Sequence, residues 1–259
     1  MKKVPKSQPE PECLTSFRQE LPEATWDDFK STACSSSLLD QTVNDQGGLC
    51  AYCERHLDEH DRQIAHFHPK SDRSQPPNQP APFNWGLHWS NLWLACRGGD
   101  QTWMTNPDAY LAPASENRSC DVAKEDDIVD GAVLSTDEVP AFARIFQYRQ
   151  SSDRMDIEPD HDLCAEAGIA PDLAAETIRI FNLNCRRLSE ARMRVHKTIE
   201  SQIKRLRENS PQPATLFPSL VQRHLAKDSN GSWKSFFTMV RWRFGSSAES
   251  YLHSIDYQG

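Results

Sequence analysis

The strongest hydrophobic rhythm in the chain is helical and lies in its last third. Leu188, Ala191, Val195, Ile199, Ile203 and Leu206 recur at steps of three and four, an amphipathic stripe. Prolines between Pro211 and Pro218 break it, and shorter helices are expected near 218–226 and 233–242. The aromatic cluster Trp233, Phe236, Phe237, Trp242 and Phe244 reads as core or partner interface rather than a base-stacking platform. At the other end, helices are expected over Leu14–Leu21 and Ser36–Asn44, the second stopped by Gly47-Gly48. Gln63–Phe67 alternates as a short strand that Pro69 ends, and Ser71–Asn84 is a Pro-rich loop. Trp89–Cys96 reads as a short helix with Leu92, Trp93 and Cys96 on one side. A polar insertion follows from Arg97 to Ser119, and Cys120–Lys124 begins another helix. Residues 1–12, rich in Pro and Lys without periodicity, read as disordered.

Composition narrows the class. A chain of 259 residues can bury one large core or two modest ones, though 37% hydrophobic content and 17 prolines point to long loops. The first residues carry lysines but no apolar run, and nowhere are there ~18 successive apolar residues. A cytoplasmic protein with no membrane association is expected, with its eight cysteines reduced. The net charge of −8 disfavours loose nucleic-acid binding, yet nine Lys or Arg face two Glu between Arg179 and Arg207. That basic stretch is either a phosphate-facing surface or a solvated helix face.

The chemistry is concentrated between Cys50 and Lys124. Cys50-x-x-Cys53 has the bite of half a zinc site, and Cys96 and Cys120 are the natural other half. A redox pair and unrelated buried thiols are the alternatives, and Cys13, Cys34, Cys164 and Cys185 have no ligand-like neighbours. His56 and His60 read as exposed polar surface, whereas His68 is nearer the other candidates. His66 on the strand, Asn91 and Asp121 suit phosphodiester hydrolysis. Imidazole is a competent base for water, and a carboxylate is the oxygen ligand that Mg²⁺ or Mn²⁺ prefers.

Gly47-Gly-Leu-Cys-Ala-Tyr-Cys53, Ile64-Ala-His-Phe-His-Pro-Lys-Ser71, Trp89–Cys96 and Cys120-Asp-x-x-Lys124 together resemble the zinc-containing HNH endonucleases. More narrowly they resemble the PtuB type, the HNH component of Septu anti-phage systems and of some retron systems. Phe181-Asn-Leu-Asn184, followed by Leu188 and Arg192, fits the same subgroup. The resemblance covers about residues 12–200. It implies an α+β, mostly helical protein: a small ββα-metal core with a four-cysteine zinc site and N-terminal helices within residues 13–130, and a mainly helical region over 131–259. It makes His66 the general base, Asn91 the residue that pins the loop and orients it, and Asp121 a ligand of the catalytic cation. Cys50, Cys53, Cys96 and Cys120 become the structural zinc ligands, and Lys124 either meets phosphate or is a surface lysine; Lys70, Lys124, Arg186 and Arg187 are taken as candidate nucleic-acid contacts, the two arginines from the basic stretch. It also implies DNA as substrate, a PtuA-type ATPase partner, and a retron reverse-transcriptase complex as a further partner.

One position departs from the family. The residue before the base histidine is commonly Glu there and binds the cation; here it is Ala65. Three readings stand: a cation held by Asp121 and water alone, His68 substituting as ligand, or a glutamate-to-alanine change that disables the site. A zinc-stabilised adaptor that binds an ATPase or nucleic acid without cutting is the alternative function.

Overall fold

The computed structural model describes residues 1–77, 79, 81, 83–99, 115–209 and 213–259. Most of the polar insertion and the Pro211 end of the break therefore lie outside the described residues.

Three helices open the chain: α1 (Glu12–Glu20), α2 (Trp26–Lys30) and α3 (Cys34–Gln46). Thr25 starts α2 through a reciprocal capping box with Asp28. Gly47 ends α3 at φ 59°. A Cβ there would also lie 2.3 Å from the Trp233 ring, so both conformation and close approach demand glycine.

The sheet at the centre is a two-stranded antiparallel ladder, β1 (Arg62–His66) against β2 (Leu92–Cys96), with Ala65 opposite Trp93 and His66 opposite Leu92. The expected helix over Trp89–Cys96 is instead a 3₁₀ turn at Trp89–Asn91 leading into β2. Every β2 residue is buried, so the strand shows none of the alternation that would distinguish it from a buried helix segment. Its outer edge is covered by the Gln46 side chain, which donates to the Leu94 carbonyl (2.9 Å) and accepts from the Leu94 amide (2.7 Å).

The ladder separates two cores. Ile64, Leu92 and Trp89 pack with Leu14, Trp26, Phe29 and Leu38 of the N-terminal helices. Ala65, Trp93 and Ala95 face the larger core, which draws side chains from both sides of residue 130. After α4 (Asp121–Lys124) come a second hairpin, β3 (Phe146–Gln150) and β4 (Met155–Pro159), and helices α5 (His161–Glu166) and α6 (Pro171–Ile180). The basic stripe forms α7 (Arg186–Asn209), followed by α8 (Pro213–Leu225), α9 (Phe237–Phe244) and α10 (Ser246–Ser254). Trp233, Phe236, Phe237 and Phe244 are core residues. Among the described residues no helix is long and apolar enough to cross a membrane.

Within residues 1–12, expected as disordered, the first residues pack against the core. Met1 and Val4 are buried, the Met1 amino group lies 3.4 Å from the buried Glu54 carboxylate, and the Val4 amide donates to Thr136 (3.0 Å). The Lys6 ammonium sits 3.6 Å from the Trp89 ring and 4.6 Å from that of Trp93, donating to the carbonyls of Trp89 and Leu92. Lysine-rich composition suggested solvation, but lysine stems and cation–π contacts let this strap bury.

Candidate active site and metal centre

The four cysteines come from three separate places. Cys50 and Cys53 sit on a tight turn closed by the Glu54 amide on the Cys50 carbonyl (3.0 Å) and the Cys50 amide on that of Arg55 (2.9 Å). Cys96 ends β2, and Cys120 immediately precedes α4. All four are buried, with Sγ separations of 3.8 Å (Cys50–Cys120), 3.9 Å (Cys53–Cys96) and 3.6 Å (Cys96–Cys120). Four sulfurs at ~2.3 Å from one tetrahedral ion lie about 3.8 Å apart, so the cluster has the size of a metal site. The four cysteines could therefore bind a metal ion. Cys120 is held at φ 62°, a conformation a non-glycine residue keeps only when its surroundings dictate it.

What dictates it is a motif whose role the sequence did not disclose. The Cys120 amide donates to the Phe181 carbonyl (2.8 Å), and the Phe181 ring stacks on Tyr52 of the cysteine turn at 4.2 Å. Asn182 donates to the carbonyls of Glu116 and Arg118 just upstream of Cys120, and Asn184 pairs with both backbone groups of Ile157 in β4. Phe181–Asn184 thus fastens the C-terminal half to the cysteine cluster.

His66 lies at the end of β1 and is 8% exposed, its ring edge-on to Trp26 at 4.9 Å. Its Nε2 is 3.1 Å from the Gly86 carbonyl oxygen. A carbonyl only accepts, so the neutral ring carries its proton on Nε2 and its lone pair on Nδ1. Burial pushes the imidazole down to about 4, keeping it unprotonated throughout the neutral range. Imidazole NMR of the full chain is expected to find this tautomer and a titration near pH 4. The unfolded chain protonates the same ring near 6.5. The folded state therefore loses on the order of 3 kcal/mol from this group as pH falls from about 6.5 to about 4, and nothing above that window. Urea unfolding at pH 7 and pH 5 checks it: stability of the His66→Gln protein should fall less between the two.

Asn91 holds the loop that follows β1. Its Oδ1 accepts the His68 amide (2.7 Å), and its Nδ2 donates to the carbonyls of His68 (2.9 Å) and Trp85 (2.8 Å). The His68 ring is equally engaged: Nδ1 is 2.7 Å from Asp130, Nε2 is 2.7 Å from Asp72, and Trp85 stacks on it at 3.7 Å. With a carboxylate at each nitrogen, His68 ties the β1–β2 connection to the segment after α4. A double-mutant cycle with His68→Ala and Asp130→Ala is expected to give a coupling on the order of 1 kcal/mol by urea unfolding, since Asp130 is partly exposed.

Asp121 opens α4, and burial pushes its carboxyl up to about 6 against the pull of Lys124. The ammonium groups of Lys70 and Lys124 act on both His66 and Asp121, so the four share one electrostatic neighbourhood. Ala65, 1% exposed, points away from His66 by strand alternation and into the larger core.

The candidate nucleic-acid contacts divide. Lys70 is exposed and 3.7 Å from Asp27. Lys124 is 2% exposed and donates to the Glu125 carbonyl (2.8 Å), which removes it from any surface. Arg186 is exposed but paired with Glu190 at 2.6 Å. Arg187 is also buried, bonded to Ser119 (2.5 Å), and interacts with Cys53 and Cys96. Its guanidinium is turned inward toward the cysteine cluster, and charge in the sequence did not reveal that this helix face is buried.

No protein-family profile matches the chain. A relative from Escherichia coli, named "Retron Ec83 putative HNH endonuclease", is 32% identical over 217 residues, which cover 75% of this chain and 79% of the relative. Identity of that extent is too long to rest on one motif. The chain belongs to the family of this retron HNH endonuclease.

Proposed function

We propose that the chain is a metal-dependent HNH endonuclease that hydrolyses phosphodiester bonds in DNA, acting in a retron- or Septu-type anti-phage system with a PtuA-type ATPase in the cytoplasm. The observation that carries the reading is the His66–Asn91 frame: a buried neutral histidine with its Nδ1 lone pair available, beside a loop pinned through three hydrogen bonds by one asparagine. β1, β2 and α4 are read as the ββα element.

In this reading His66 takes the proton of the attacking water at Nδ1, while the Gly86 carbonyl fixes the ring through Nε2. Asn91 keeps the loop, and with it the ring, in register. Asp121 would hold a hard cation such as Mg²⁺ or Mn²⁺, which neutralises charge on the phosphate when bound. Lys124, buried beside Asp121, keeps that carboxylate available as an anion. Cys50, Cys53, Cys96 and Cys120 would hold zinc, with Arg187 behind them.

Ala65 favours a second reading, an adaptor that keeps the zinc site but no longer cuts. Supercoiled plasmid with Mg²⁺ or Mn²⁺, in the presence of the ATPase, separates the two. Cleavage by the Ala65→Glu protein that disappears in Ala65→Glu/His66→Ala supports the nuclease. A complete absence of cleavage in every form supports the adaptor.

A further inference from the structure

A groove of about 560 Å³ runs between α2–α3 and β1, beside His66. Four cations line it, Lys30, Arg62, Lys70 and Arg97, against the single carboxylate of Asp27, over a floor that includes Trp26 and Ile64. In a chain of net charge −8 such clustering is not a consequence of composition. Lys30, Lys70 and Arg97 are exposed. Among the described residues the one salt bridge made by any of the four side chains joins Lys70 to Asp27 at 3.7 Å, while Asp61 accepts the backbone amide of Arg97 (3.0 Å). An exposed pair at that distance contributes under ~1 kcal/mol, so a phosphate displaces it readily.

The groove is also continuous with the candidate site. Trp26, on its floor, packs edge-on against His66, Ile64 belongs to the same strand, and Lys70 acts on both His66 and Asp121. The exposed face of α7 is the rival surface. There Glu190 and Glu208 already engage Arg186 and Lys204, and among the described residues the helix has no comparable link to His66.

We propose that this groove is the phosphate-backbone track for duplex DNA, with Lys30, Arg62, Lys70 and Arg97 contacting phosphates flanking the one presented to His66. The proposal rests on the nuclease reading and deepens it by locating the substrate. A backbone track of this kind binds without sequence preference, and each phosphate contact adds about 0.9 to the slope of log affinity against log salt.

The test is fluorescence anisotropy of a labelled duplex of about 20 base pairs with the full unaltered chain, zinc-loaded and without added divalent cation, from about 50 to 200 mM salt. Lys30→Ala/Lys70→Ala/Arg97→Ala, all exposed positions, is expected to weaken binding at least ~10-fold at about 100 mM salt and to lower the slope by about 2 to 3. Arg194→Ala/Lys197→Ala/Arg205→Ala on α7 is expected to change affinity by less than about 2-fold. Unchanged zinc content and melting temperature confirm that both variants fold. Equal binding by the groove variant, or a larger loss from the α7 variant, overturns the proposal and leaves the nuclease reading intact. No duplex binding by the unaltered chain also overturns it, whereas the nuclease reading is judged separately by plasmid cleavage with Ala65→Glu.

Discussion

Ala65→Glu is expected to raise cleavage of supercoiled plasmid in Mg²⁺ or Mn²⁺ by at least ~100-fold over the unaltered chain, and adding His66→Ala is expected to abolish the gain. Position 65 is buried, directly opposite Trp93, on the face of the ladder turned toward the larger core. Two buried donors of that core, the Trp93 indole N–H and the Tyr52 hydroxyl, have no hydrogen-bond partner among the described residues. Tyr52 is close enough to Asp121 to feel its charge. A carboxylate at 65 would therefore enter a region that has donors to spare and a second carboxylate nearby. Burial already pushes the Asp121 carboxyl up, and without a cation a second buried carboxylate beside it would add like-charge repulsion. The Ala65→Glu protein should accordingly melt lower than the unaltered chain in metal-free buffer, and recover on adding Mn²⁺ or Mg²⁺. Differential scanning fluorimetry with and without the cation reads this independently of cutting. Equal cleavage by the unaltered chain would mean that Asp121 and water suffice to hold the cation, and the assignment of position 65 as a lost ligand would fall.

The four-cysteine cluster was legible in the sequence because its signal is chemical. Cysteine in a Cys-x-x-Cys turn with two further candidates has few alternatives, and the structure brings Cys50, Cys53, Cys96 and Cys120 within 4.8 Å. Periodicity was a poorer guide wherever burial was two-sided. Leu92–Cys96 has no exposed position, so it offered no alternation and read as a helix. The β3–β4 hairpin and α5–α6 went unassigned because their stretch is acidic and only half buried. Cations misled in both directions. Lys6, Lys124 and Arg187 looked like solvent or phosphate contacts; Lys6 is half-buried against indoles, and Lys124 and Arg187 are buried against a carbonyl and thiols. Lys30, Arg62 and Arg97, unremarked in the sequence, are brought to one groove by the packing of α2 and α3 on β1. What a cation does depends on which face it is given, and that is decided by tertiary packing.

Loss of the metal is expected to be the largest stability effect in the molecule. Purified protein should contain one zinc per chain by elemental analysis, and Cys53→Ser or a strong chelator should lower the melting temperature by more than about 10 °C. Structural zinc contributes an apparent ~10–16 kcal/mol in small zinc domains, which matches or exceeds the ~5–15 kcal/mol that separates folded from unfolded for a whole domain. Here the cysteines are not a peripheral staple. All four belong to the larger core, and they tie the cysteine turn, the end of β2 and the start of α4 to one point. Without the ion, burial pushes the Cys50 and Cys120 thiols well above their ordinary range, so the cluster no longer holds four thiolates. Cys120 would then keep its left-handed backbone with only the Phe181 carbonyl and its own turn to hold it. Cys13→Ser, at a half-buried thiol on α1, is the control and should change the melting temperature by less than about 2 °C. Acidification should mimic chelation, because protons compete for the thiolates. A zinc-free protein that melts as high as the untreated one would instead return Cys50 and Cys53 to the redox-pair reading, with Cys96 and Cys120 as ordinary core thiols.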